Sequence, residues 1–257
     1  MPHVEIERNG AVLHIAINRP EKKNALTADM YHALADAMDQ AEADADIRVL
    51  LLHGRGDAFT AGNDLEDFMK QPWKGQAVPP QIRFIRSVAF ARKPVVAAVH
   101  GLAIGIGTTI LLHCDLVYAA DGTRFMMPFI NLGIVPEAAT TVLLPLLVGR
   151  QRASELFLLS APLTAQRAYE LGLVNAVVAP DALLSTASAV AEQISAKPLA
   201  AVLACKELMK RAFRSEVERA LNEEEAVITE RLESPETREA LNAFLEKRKP
   251  DFGKLQK

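Results

Sequence analysis

The sequence predicts an α/β domain built from stacked ββα units. Three observations carry that reading. Val4–Arg8 and Val12–Asn18 are two alternating strands joined at Asn9-Gly10, a dipeptide suited to a hairpin turn. An amphipathic helix follows, and then the short apolar runs at 49–53 and 94–99 read as buried strands. The strand–strand–helix order then recurs, which places helices against a sheet.

Each element has a local reason. Arg19–Asn24 is a polar loop, and Thr27 is a helix N-cap because its hydroxyl can accept from a free first-turn amide. The helix it opens runs to about Ala43, with Met30, Leu34 and Met38 on one face. Gly54–Asp57 turns the chain after the strand at Val49–His53. Pro94–Val99 is a further strand, followed by Gly101, a helix from about Gly107 to Cys114, and a strand at Leu116–Ala119. Asp67–Gln81 changes composition, with Pro72, Trp73, Gly75, Pro79 and Pro80, and reads as a mobile surface segment. Beyond Pro180 strand signals stop. Helical patterns occupy 182–196, 199–233 (breaking near Phe213-Arg214-Ser215) and 235–247. The expected organisation is a core over residues 1–195 and a helical region over 196–257, which either covers its own sheet or packs on a partner subunit.

Bulk properties exclude several classes. Half of the 257 residues are hydrophobic, enough for a sizeable core. A net charge of −3 gives no reason to expect nucleic acid or a membrane surface as partner. Met1–Glu7 reads as a strand rather than a signal segment, and no apolar run reaches the length of a membrane span. Cys114 and Cys205 form no metal or disulfide pattern, and six scattered histidines lack ligand spacing, so no metal site is expected. A cytoplasmic protein is the expectation.

Two glycine-rich turns carry chemistry. Asp57–Leu65 holds Ala61-Gly62-Asn63, small residues that let backbone approach a ligand, with Asp64 placed to cap a helix. His100–Thr109 lies between a buried strand and a helix start, where unpaired N–H groups point outward. Taken singly, each turn also fits a plain strand-to-helix connection. Glu137, after Pro136 and ahead of an apolar stretch, fits either a charged first helical turn or a catalytic base.

Four segments occur together along almost the whole chain: Asn18-Arg19-Pro20-Glu21-Lys22-Lys23-Asn24-Ala25-Leu26, Phe59-Thr60-Ala61-Gly62-Asn63-Asp64-Leu65, His100-Gly101-Leu102-Ala103-Ile104-Gly105-Ile106-Gly107 and the stretch from Ala243 to Phe252. With them the chain resembles the crotonase (enoyl-CoA hydratase/isomerase) superfamily. The resemblance implies a spiral of ββα units, a C-terminal helical region that forms a homotrimer or a hexamer of two trimers, and an acyl-CoA thioester as substrate. It implies no separate cofactor, CoA being part of the substrate. It also implies that the backbone N–H groups of Asn63 and Ile106 form an oxyanion hole. Lys23, Ala25, Ala61, Asn63, Asp64, Leu65, Glu66, Phe244 and Lys247 then match CoA- or substrate-binding positions.

The departures from the family pattern are as informative. The two glutamates that hydratases of this family use to activate water fall at Thr109 and Phe129. Neither side chain can act as a base near neutral pH. Glu137 instead matches the catalytic carboxylate of Δ3,Δ2-enoyl-CoA isomerases of the peroxisomal type and their bacterial relatives. Phe129, Ile130, Val135 and Leu143 are expected to give it an apolar surround, and Met69, Trp73, Ile82, Phe84 and Ile85 to shape the acyl-tail pocket. A hydratase or other lyase of the same fold is the alternative reading, and a non-catalytic acyl-CoA-binding subunit the second. Lys206 and Lys210 read as surface lysines or CoA-phosphate contacts, Glu223-Glu224-Glu225 as a solvated helix face, and Asp115 as a hydrogen-bonding residue at a strand start.

Overall fold

The computed structural model describes residues 2–70 and 78–256. Trp73 and most of the composition change after Asp67 lie outside the described residues. The chain forms β1 (Val4–Asn9), β2 (Val12–Ile17), α1 (Ala28–Ala43), β3 (Val49–Gly54), α2 (Leu65–Phe68), α3 (Pro80–Ala89), β4 (Val95–Val99), β5 (Leu102–Ile104) and α4 (Ile106–Thr109). There follow β6 (Leu116–Ala120), β7 (Arg124–Met126), α5 (Thr140–Val148), α6 (Arg150–Leu158), β8 (Leu163–Thr164), α7 (Ala165–Glu170) and β9 (Ala176–Val178). Four helices close the chain: α8 (Leu183–Ser195), α9 (Leu199–Arg211), α10 (Arg214–Arg231) and α11 (Pro235–Leu245).

Six strands form one sheet in the order β1-β2-β3-β4-β6-β9, and β5-β7-β8 form a smaller one. Only the β1–β2 hairpin is antiparallel in the large sheet; the remaining neighbours run parallel. Gly10 has φ +58° in the hairpin turn, as the Asn9-Gly10 dipeptide requires. Strands β4 and β6 each continue into a strand of the small sheet (β5 and β7), so the chain passes from the large sheet into the small one before α4 and again before α5. This is the spiral of ββα units expected from the sequence.

The parallel strands are buried on both faces, which explains their unbroken apolar runs. One face packs on α1 and α3, where Met30, Leu34 and Met38 are at most 2% exposed. The other packs on α8 through Leu183, Ala187 and Ala191. Thr27 caps α1 by accepting from the Met30 amide. The expected helix at Gly107–Cys114 is α4 followed by a 3-10 turn at Ile110–His113.

Several elements were not anticipated. Helix α3 begins at Pro80, and its Gln81, Ile82, Phe84, Ile85, Val88 and Ala89 are buried. The proline that suggested a loop is the favoured first residue of that helix. Helices α5 and α6 fill 140–158 although α5 contains Pro145.

The helical tail divides its roles. Helix α10 sends Val217, Ala220 and Leu221 into the main core, whereas α9 leaves Leu208 and Met209 exposed, as the turn after it leaves Phe213. Lys206 and Lys210 are corrected: neither is a free surface cation. Lys206 is buried and donates to the Asp115 carboxylate at 2.6 Å and to the Lys93 carbonyl at 2.7 Å. Lys210 donates to the carbonyls of Ala89 and His113. Asp115 also accepts from the Val95 amide, so it joins β4 to α9 at the strand start. No helix among the described residues is long and apolar enough to cross a membrane.

Candidate active site

The two glycine-rich turns lie side by side because backbone hydrogen bonds stitch them together. The Thr60 amide donates to the Leu102 carbonyl, and the Ile104 amide donates to the Thr60 carbonyl. Gly62 has φ +91°, and a Cβ there would sit 2.9 Å from the Ile104 carbonyl oxygen, so only glycine fits. A Cβ on Gly107 would meet the Thr60 methyl at 2.6 Å. The Arg19–Leu26 loop closes the third side. Fully buried Asn24 donates to the carbonyls of Arg55 and Ala58, and its Oδ1 accepts from the Arg19 amide. Its carbonyl accepts from the Thr60 hydroxyl. Lys23 and Asn24 both lie in the left-handed region, which turns the Lys23 carbonyl onto the Ala61 amide.

These loops wall a cavity of about 570 Å³. Lys23, Ala25, Ala61, Asn63, Asp64, Leu65, Glu66, Ile106 and Phe244 all line it. Lys247, the remaining candidate, is exposed and is not among the lining residues. Asp64 has a structural task here: its side chain accepts from the Asp67 amide to cap α2 and pairs with Arg19 at 2.7 Å. Neither the Asn63 nor the Ile106 amide has a hydrogen-bond partner among the described residues, and Ile106 is the first residue of α4, where such amides are free. The Asn63 carboxamide is committed elsewhere, accepting from the Tyr31 hydroxyl.

Glu137 stands on a smaller cavity that shares Asn63, Phe68, Phe129 and Ile134 with the large one. It is 7% exposed, and its Oε1 has no hydrogen-bond partner among the described residues. Burial pushes its carboxyl up to about 8, and the charge of Glu224 adds to the rise. The apolar surround differs in part from the expected one. Phe129 is present, but Phe68, Ile82, Ile134 and Ile228 complete it, while Ile130 is 38% exposed. Of the expected tail-pocket residues, Ile82 lines this cavity, Phe84 and Ile85 are core residues, and Met69 is exposed. The positions of the two hydratase glutamates hold no carboxylate: Thr109 is fully buried, and Phe129 is a wall.

Glu137 is not in a helix, contrary to the first-turn reading. Ala138 and Ala139 follow it with φ +63° and +53°, and α5 begins only at Thr140. Two consecutive alanines in the left-handed region are costly and need outside support. Three groups give it. The Thr140 hydroxyl donates to the Glu137 carbonyl at 2.5 Å. Buried His113 donates from Nε2 to the Ala138 carbonyl at 2.7 Å; burial lowers its pKa to about 4, so the ring is neutral near pH 7.

Glu224 of α10 supplies the third support and corrects the reading of residues 223–225 as a solvated face. It is 6% exposed and accepts from the Ala139 amide at 2.6 Å, the Thr141 amide at 3.0 Å and the Thr141 hydroxyl at 2.5 Å. Its carboxylate therefore caps α5 from a distant helix, in place of Ala139, which has no capping side chain. Burial raises its pKa to about 7 despite those hydrogen bonds. The sequence carried a signal for it: Val217, Leu221, Glu224 and Ile228 share one helical face, the buried one.

Comparison with known proteins settles the family. The family model described as enoyl-CoA hydratase/isomerase matches residues 7–255. The chain belongs to this family. It is 36% identical to the 1,2-epoxyphenylacetyl-CoA isomerase of Escherichia coli, over 98% of this chain and 97% of that one. To the short-chain-enoyl-CoA hydratase of Clostridium acetobutylicum it is 33% identical, over 96% of each. A crystal structure of an enoyl-CoA hydratase/isomerase from Pseudoalteromonas atlantica superposes with a TM-score of 0.93 at 41% identity, covering 98% of this chain and 100% of that one. The protein is thus an acyl-CoA-processing enzyme of the enoyl-CoA hydratase/isomerase family with the crotonase fold.

Proposed function

We propose that the protein shifts the double bond of a 3-enoyl-CoA to the 2-position, with Glu137 as its one acid/base. The observation that carries this reading is the Glu137 carboxylate: buried, with an unpartnered oxygen, on a small cavity that shares four lining residues with the large cleft. The thioester oxygen accepts from the Asn63 and Ile106 amides. Glu137 takes a proton from C2, and negative charge spreads through the dienolate onto that oxygen. The protonated carboxyl then returns the proton at C4, leaving the double bond conjugated with the carbonyl. One carboxylate suffices because nothing is added and nothing leaves. The absence of a carboxylate at Thr109 and Phe129 speaks against water addition. Relatives named as isomerase and as hydratase both exist, so the assay follows both reactions through the conjugated enoyl-thioester absorbance.

Glu137→Gln is expected to abolish the appearance of conjugated product from a 3-enoyl-CoA while CoA-thioester affinity stays near wild type. The amide keeps the shape but cannot accept the proton. The reactive form is the carboxylate and the raised pKa is about 8, so kcat/KM should climb as pH rises through about 8 and level off above it. Wild-type turnover in Glu137→Gln, or a rate that falls across that range, contradicts the assignment.

The oxyanion donors are main-chain groups, and substitutions separate them from their side chains. Ile106→Pro removes an N–H and should lower turnover by about 10²–10³ in a folded protein. Asn63→Ala keeps its N–H and should retain substantial activity, with some loss of stability because buried Tyr31 is left without its acceptor. Full activity in folded Ile106→Pro would remove that loop from the oxyanion hole.

We also propose that the chain assembles as a trimer, or as two stacked trimers, through its helical region. Leu208, Met209 and Phe213 are 59%, 62% and 46% exposed. They adjoin a groove of about 650 Å³ that holds none of the proposed active-site residues. Such an apolar face is unusual on a monomer. Light scattering should give three or six times the 28.0 kDa chain mass; a monodisperse monomer would contradict it.

A further inference from the structure

Gln81 is a buried polar side chain that nothing in the fold accounts for. It is 5% exposed, and its Nε2 has no hydrogen-bond partner among the described residues. A buried amide donor left unpaired costs more than a hydrogen bond returns, so such groups usually have an occupant in the working state. Gln81 lines the Glu137 cavity, together with Asn63, Phe129 and Ile134, and also a smaller one beside Tyr31 and Asn63. The Glu137 cavity shares Asn63, Phe68, Phe129 and Ile134 with the thioester cleft, and Glu137 and Gln81 both line it. The free space there is about 20 Å³, enough for one water-sized group.

We propose that Gln81 sets acyl-chain specificity, selecting a chain with a neutral oxygen (a ketone, hydroxyl or ether) just beyond the reacting carbons. The proposal deepens the preceding reading and rests on the acyl group passing Glu137. An alkyl chain would seal the Nε2 donor away from any acceptor. A chain ending in a carboxylate would bring a charge among apolar walls, beside the Glu225 side chain that lines the same cavity. A neutral oxygen satisfies Nε2 without either cost, and the remaining walls, Phe68, Ile82, Phe129, Ile134 and Ile228, suit the carbon skeleton.

Saturated thioesters test this without turnover. Calorimetric titration of the full-length protein with hexanoyl-CoA, 5-oxohexanoyl-CoA and adipyl-CoA reads the acyl subsite alone. The oxo chain should bind about fivefold to tenfold more tightly than hexanoyl, the worth of one hydrogen bond, and adipyl-CoA should bind more weakly than hexanoyl. In Gln81→Leu, close to isosteric and checked by thermal melting, hexanoyl-CoA should become the tighter ligand. Equal affinities in the wild type overturn the proposal on their own, as does an oxo preference that survives in Gln81→Leu; Gln81→Met serves if the leucine variant does not fold. None of these ligands can be isomerised. A failed isomerase assignment therefore shows in the Glu137→Gln assay, and a failed subsite shows here.

Discussion

Glu137, the proposed base, is buried and yet has to be held in place, and the region around it is organised by that conflict. Removing the group from water raises its proton affinity, which makes it a stronger base, and denies it the hydrogen bonds that would hold it still. Its own side chain has no partner on Oε1, so position is imposed through the backbone on either side. Two left-handed alanines, a neutral histidine and a second buried carboxylate fix the turn, and the charge of that second carboxylate pushes the pKa of the first further up. Glu224 thus joins the core helix α10 to the turn that carries the proposed base.

The proposed oxyanion side is set by a different constraint, the close approach of two backbone loops. Hydrogen bonds between Thr60 and residues 102 and 104 bring the turns together, and glycines at 62 and 107 leave room for it. In the proposed reaction no side chain is spent on the thioester oxygen; the free amides of Asn63 and Ile106 come from the turn geometry and from the first turn of α4. Stabilisation of this kind is preorganised, because the donors need not move as charge develops.

The parts of this arrangement legible in the sequence are the local ones. Gly62 and Gly107 announce close approach, and Thr27 and Asp64 announce helix starts, because each constraint acts within a few residues. The strands β1 to β4 and β6 were legible from their apolar runs. Glu137 stood out only through its family position, and its helical setting was misread because nothing local forces Ala138 and Ala139 into the left-handed region; Glu224, far along the chain, helps hold them there. Glu224 itself could have been found from the spacing of Val217, Leu221 and Ile228, but a run of three glutamates reads as surface until one is placed on that face. Gln81 was hidden because Pro79-Pro80 suggested a loop, so its helix went unseen. Lys206 and Lys210 show the same limit, since their partners Asp115, Ala89 and His113 are about a hundred residues away.

The central claim is that a single enclosed carboxyl carries one proton from C2 to C4. The direct measurement is a single turnover of 3-enoyl-CoA deuterated at C2, run in ordinary water, with the label located by mass spectrometry or NMR. Glu137 is nearly sealed from solvent, so the account predicts deuterium at C4 in a substantial share of the product. Product carrying only solvent hydrogen at C4 at the shortest times measured would contradict it, because the proton would then reach C4 from a group other than the one that removed it from C2.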